Sequence, residues 1–169
     1  MALILREVQN VMWWSVFRES NEGWLPDSEC RGDVLRSLRT TDCSLSIFRL
    51  DEASPDQLER MLAAFAAQRE EADRLDFAIL DESDFVELGL RVIDAPGVTP
   101  DPVVNSWHRN IVELSASRIQ QLVACLQSQA TFCRKREKDV LRLVKKALES
   151  GHITERMIQP KVLGKIRRQ

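Results

Sequence analysis

The stretch from Cys43 to Leu80 constrains this chain most. It opens with an apolar-rich strand pattern, CSLSIFRL, and closes with a second short strand over 76–80. Between them lies a well-signalled amphipathic helix. Ser54 stands at the N-cap position, Pro55 takes the first helical position, and Gln57 falls three residues after the cap, as a capping box requires. Leu58, Met61, Leu62, Phe65, Arg69 and Ala72 then step by three and four, which gathers the apolar members on one face. A strand–helix–strand unit follows. If its two strands share a sheet and run parallel, the crossover is expected to be right-handed; an antiparallel arrangement stays open.

The remaining elements read as additions to this unit. Residues 2–18 fit either a loose helix or a buried strand, with Trp13 and Trp14 suited to burial or an interface. Asn21-Glu22-Gly23 is a turn, and residues 28–41 form a loop with one helical turn around Val34–Leu38. Asp81 to Asp84 is an acidic helix start, and the short helix is stopped by Gly89. Leu90–Ile93 is a third strand, residues 94–102 are a proline-rich loop, and Trp107–Leu114 contains an edge strand. Ser115 or Ser117 caps a helix through Leu126, and CRKREKD is a basic hinge. Val140, Leu141, Val144 and Leu148 mark a last strong helix, closed by Gly151. Residues 152–169 show little periodicity. The expected fold is α+β: a small sheet of three to four short strands packed by helices, with a helical basic C-terminal arm.

Charge divides the chain more sharply than its net −2 suggests. Residues 134–169 carry 12 Lys and Arg against 4 acids, a net of +8, whereas residues 1–133 carry 12 against 22, a net of −10. The expected division is therefore an acidic body over 1–114 and a helical, basic arm over 115–169 that packs on the body or on a partner. A composition 44% apolar and 30% charged is that of a soluble globular chain. No apolar run approaches a membrane span, and the N-terminus lacks the pattern of a signal peptide, which together point to a cytoplasmic protein with no membrane partner. Cys30, Cys43, Cys125 and Cys133 form no CxxC pair, so reduced structural thiols are expected.

Four pieces, taken in order, resemble a group of small uncharacterised bacterial proteins associated loosely with defence and conflict gene neighbourhoods. They are Trp24-Leu25-Pro26-Asp27, Leu45-Ser46-Ile47-Phe48-Arg49, Leu88-Gly89-Leu90-Arg91-Val92, and Asn105 with His108 and Ile111. The likeness covers roughly residues 20–114 and leaves out the basic arm. It implies a bacterial, cytosolic setting and brings no catalytic residue with it.

The residues themselves offer three functions. No metal-ligand cluster, phosphate-binding glycine loop or cofactor motif stands out, so no metal and no cofactor are expected; Asp81, Glu82 and Asp84 are explained by a helix N-terminus. The leading expectation is a non-enzymatic protein–protein interaction subunit or adaptor. Trp24 and Leu25, with Arg142, Lys145 and Lys146 on the final helix, are its contact residues. The alternative is nucleic-acid binding through Arg134, Lys135, Arg136, Lys138, Arg167 and Arg168, although no aromatic residue lies beyond Phe132 to stack on bases. The third is a small hydrolase or nuclease in which His108 is the general base, Arg109 faces an anionic transition state, and Asp94 or Asp101 orients the ring. Against it, His108 could instead hydrogen-bond to the loop backbone and hold the loop in place.

Overall fold

The computed structural model describes residues 3–8, 38, 42–50 and 54–168. Their strands form one six-stranded, wholly antiparallel sheet: β1 (Leu3–Glu7), β2 (Leu45–Leu50), β3 (Arg74–Asp81), β4 (Arg91–Asp94), β5 (His108–Val112) and β6 (Thr131–Arg136). The spatial order is β4-β5-β2-β1-β3-β6. The helices are α1 (Pro55–Ala67), α2 (Glu82–Val86), α3 (Pro102–Ser106), α4 (Ala116–Gln129), α5 (Glu137–Glu149) and α6 (Pro160–Ile166). The fold is α+β, as composition and pattern suggest, with a sheet that runs to six strands.

The anticipated strand–helix–strand unit is present as β2-α1-β3, with an insertion. Because β1 is antiparallel to both β2 and β3, those two strands run parallel, and β1 lies between them. Nothing in residues 43–80 could reveal that a distant strand splits the pair. Residues 3–7 are strand, which resolves that part of the helix-or-strand ambiguity; the rest of the tryptophan-bearing segment lies outside the described residues.

Alternation along the strands builds two cores. Phe48 and Leu50 of β2 and Leu75 and Phe77 of β3 face α1, α5 and α6. Leu45, Ile47, Ala78, Leu80 and Ile111 face the other way, toward Leu122, Val123 and Leu126 of α4. Each such Leu, Ile or Phe taken from water contributes roughly 2 kcal/mol, and both faces are closed by helices. α1 follows its signals only in part. Ser54 Oγ accepts from the Gln57 amide at 3.1 Å, but the Gln57 side-chain oxygen is buried without a partner, so the capping box is half made.

Three expectations need correction. The basic hinge is strand β6 followed directly by α5; its register pairs Phe77 with Cys133 and Asp76 with Arg134. β5 is not at an edge but lies between β4 and β2. Two helices start where loop or aperiodic chain was expected: α3 at Asp101-Pro102 and α6 at Pro160. In α3 the signal was legible, since Asp101 accepts from the amides of Val103 and Val104 as a proline-following cap should.

Candidate functional site

The basic arm faces the acidic body directly. α5 lays Val140, Leu141, Val144 and Ala147 into the core it shares with Met61, Leu62 and Ala66 of α1. This brings Lys146 Nζ to 2.7 Å from Glu59 and 3.5 Å from Asp56 on α1. The hydrogen bond to Glu59 holds the Lys146 ammonium above its ordinary value. Lys161 reaches Glu71, and Lys165 and Arg167 pair within the arm, with Glu137 at 2.5 Å and Glu155 at 2.6 Å. Arg142 has only the Asp139 carboxylate beside it, at 3.4 Å.

Arg134 makes the most enclosed of these contacts. Its guanidinium grips Asp76 through two bonds of 2.7 Å, and the Asp76 side chain is only 2% exposed. The hydrogen bond to Asp76, against the opposing effect of burial, raises the Arg134 guanidinium above its ordinary value. Lys138 and Lys145 are exposed on the outer face of α5, in line with Arg142, and Arg136 and Arg168 are exposed as well. The residues singled out for nucleic acid are therefore dispersed: Arg134 is clamped within the sheet, Arg167 is paired, and Lys138, Arg136 and Arg168 face solvent.

The two sheet edges differ. β4 is exposed at all four residues, with Val92 at 40% and Ile93 at 39%. Its charged ends stay exposed but pair with residues of or beside the neighbouring strand: Arg91 with Glu113, and Asp94, which accepts from Arg109 at 2.7 Å. Val98, in the loop after β4, is 86% exposed, and Val103 on α3 is also open to solvent. Four of the six large apolar side chains exposed among the described residues thus fall between 92 and 103.

His108 lies at the start of β5, on the face that carries Phe48. Its Nδ1 bonds the Ala95 carbonyl oxygen. A carbonyl only accepts, so Nδ1 is the donor in this bond. The ring packs edge-on against Phe48, centroids 4.9 Å apart. The hydrolytic set is not assembled around it. Asp94 engages Arg109, and Asp101 is wholly buried beneath Arg60, which holds it at 2.5 and 2.9 Å. Burial alone would push the Asp101 carboxyl up, but Arg60 and the two α3 amides outweigh it and leave it below its ordinary value. Arg109 spends its own donors on the Ser106 and His108 carbonyls. His108 instead helps to pin the 95–99 loop, together with Asn105, which bonds Thr99 twice, and Gln68, which donates to Val98 O at 2.7 Å.

Under that loop is a cleft of about 480 Å³, missed by reading the sequence. It is walled by Phe48, Phe65 and His108, and its rim holds the Arg69–Glu7 ion pair at 2.6 Å. Its parts come from β1, β2, β5, α1 and the loop, so no local motif announces it. A second groove of about 280 Å³ separates α1 from α5, and His152 lines it half-buried.

Burial pushes the thiols of both Cys125 and Cys133 up from their ordinary value, which disfavours the thiolate. Cys43, expected within a buried strand, is exposed in a turn with φ +55°. Trp24, Leu25 and Cys30 lie outside the described residues. No helix among the described residues is long and apolar enough to cross a membrane. Compared with protein-family models, with curated proteins and with solved structures, the chain matches none.

Proposed function

We propose that this chain is a non-enzymatic interaction subunit that receives a protein partner along β4. The observation that carries the reading is the unpaired β4 edge, whose central Val92 and Ile93 stand in solvent with no strand beyond them among the described residues. An extended partner segment can add there as a further strand, with main-chain hydrogen bonds for affinity and apolar side chains alternating against Val92 and Ile93. Trp24 and Leu25 belong to the same proposal on their sequence alone. The bacterial cytosolic setting, with a role in a defence assembly, draws its support from the motif resemblance.

Capture from the native cells by tagged full-length protein, with nuclease and at moderate salt, tests this. A defined protein should be retained by the wild type and lost with Val92→Lys/Ile93→Lys, while the far-UV spectrum of the variant is unchanged. Equal retention by the variant would remove β4 from the reading.

The second reading is nucleic-acid binding. It is favoured by the outward line of Lys138, Arg142 and Lys145, spaced by four and three on α5. It requires affinity that falls steeply with salt and that Lys138→Glu/Lys145→Glu abolishes.

A further inference from the structure

We infer that the cleft beneath the 95–99 loop binds a free aromatic α-amino acid, independently of what happens at β4. Three rings build its apolar wall: Phe65 meets Phe48 edge-on at 4.8 Å, and Phe48 meets His108 in the same way. An aromatic side chain extends such a series with offset or edge contacts. The volume, about 480 Å³, lies within the range of small-molecule sites and suits one such ligand.

The rim selects its charges. Arg69 and Glu7 present a cation and an anion side by side, each about one-third exposed. Arg69 uses Nη1 on Glu7 Oε1, which leaves further guanidinium donors and the second carboxylate oxygen for a ligand. The α-carboxylate and α-ammonium of a free amino acid are also side by side, with opposite signs. Laid against the pair, they give four alternating charges and leave the Arg69–Glu7 contact intact.

The wall is also set in advance. Asn105, His108 and Gln68 fix the loop from three directions, and Gly97 is packed so closely that a Cβ there would meet Asn105 Oδ1 at 3.0 Å and His108 Cβ at 3.2 Å. A preorganised wall loses little freedom when a ligand arrives.

Titration calorimetry and thermal shift on the full-length protein test the inference with L-phenylalanine and L-tryptophan. The controls are phenethylamine, which lacks the carboxylate, 3-phenylpropionate, which lacks the amine, and L-alanine, which lacks the ring. Saturable binding with a raised Tm is expected for the two aromatic amino acids, with each control weaker by about tenfold or more. Arg69→Gln and Glu7→Gln, both at partly exposed positions, should each weaken L-phenylalanine binding by a similar factor. The inference is overturned if neither amino acid binds at up to about 10 mM. It is equally overturned if phenethylamine and 3-phenylpropionate bind as well as L-phenylalanine, or if both variants bind it unchanged.

Discussion

The two outermost strands of the sheet among the described residues, β4 and β6, carry their charge in opposite ways. β6 reads TFCRKR: three consecutive cations sit at its end, and the first of them is clamped to Asp76 on the neighbouring strand. Charge on an edge strand disfavours further pairing. β4 also carries charge, but Arg91 and Asp94 are turned back onto Glu113 and Arg109, and the centre of the strand is apolar and bare. The difference shows that an edge is guarded by where its charges point rather than by how many it has. It also divides the basic arm into two parts: β6 belongs to the architecture of the sheet, whereas the outer face of α5 does not.

Removing the guard from β6 should have the largest effect. Arg134→Met strips the buried Asp76 carboxylate of its two-bond clamp, while Arg74 stays at 3.8 Å. A loss of about 3 kcal/mol in urea unfolding is expected, because taking one partner from a buried ion pair is costly. A change below about 1 kcal/mol would mean that the clamp is replaceable.

On the β4 side the corresponding anchor is Asp101, which ties α3 to α1 through Arg60. Asp101→Ala removes a cap and orphans a guanidinium, and should cost about 2 kcal/mol. The same carboxyl gives a pH dependence. Its folded value lies below the ordinary 3.8, so its contribution is fully present above 3.8 and is lost as pH falls through the lower folded value. Acid unfolding curves of the wild type and Asp101→Asn should therefore converge below that window. Parallel curves would place the acid sensitivity elsewhere.

Gly97→Ala, in the loop that follows β4, should cost about 1 kcal/mol, since the atom it would press is the Asn105 oxygen already engaged by Thr99. Val92→Lys/Ile93→Lys should change stability by less than about 1 kcal/mol, as both residues are partly exposed and a lysine stem can cover the same surface, while partner capture is lost. That separation of stability from association is the sharpest test of the contrast between the edges.

Much of the fold was legible locally. α1, α4 and α5 announce themselves through Ser54-Pro55, Ser115 and the Val140–Leu148 spacing, and each of these signals lies within one helical turn of what it controls. What was not legible depends on distant partners. The run CRKREKD looks like a hinge because its charges seem to belong to solvent; it is Asp76, far back in the chain, that clamps Arg134 into a strand. Cys43 was misjudged for a similar reason, since a positive φ ahead of a strand leaves no mark on an apolar pattern. The cleft was invisible because its charges and rings come from five separate segments. His108 was noticed, but its neighbours in sequence are not its neighbours in function. The residue that fixes it is Ala95, through a carbonyl that no side-chain pattern reveals.

The position of β1 has a consequence for how this molecule comes into being. Its partners are β2 on one side and β3 on the other, so Leu5 must find both Phe48 and Ile79 before the middle of the sheet exists. During synthesis this strand leaves the ribosome well ahead of either neighbour: β2 is complete only at Leu50, and the second mate, β3, only at Asp81. Long-range pairings of this kind are the slow steps of assembly. β2, α1 and β3 can gather locally, but they would do so around a gap that only β1 fills. Refolding in which protection of the Leu3–Glu7 amides appears together with the final, rate-limiting phase would mark that strand as the last to settle, although it is made first.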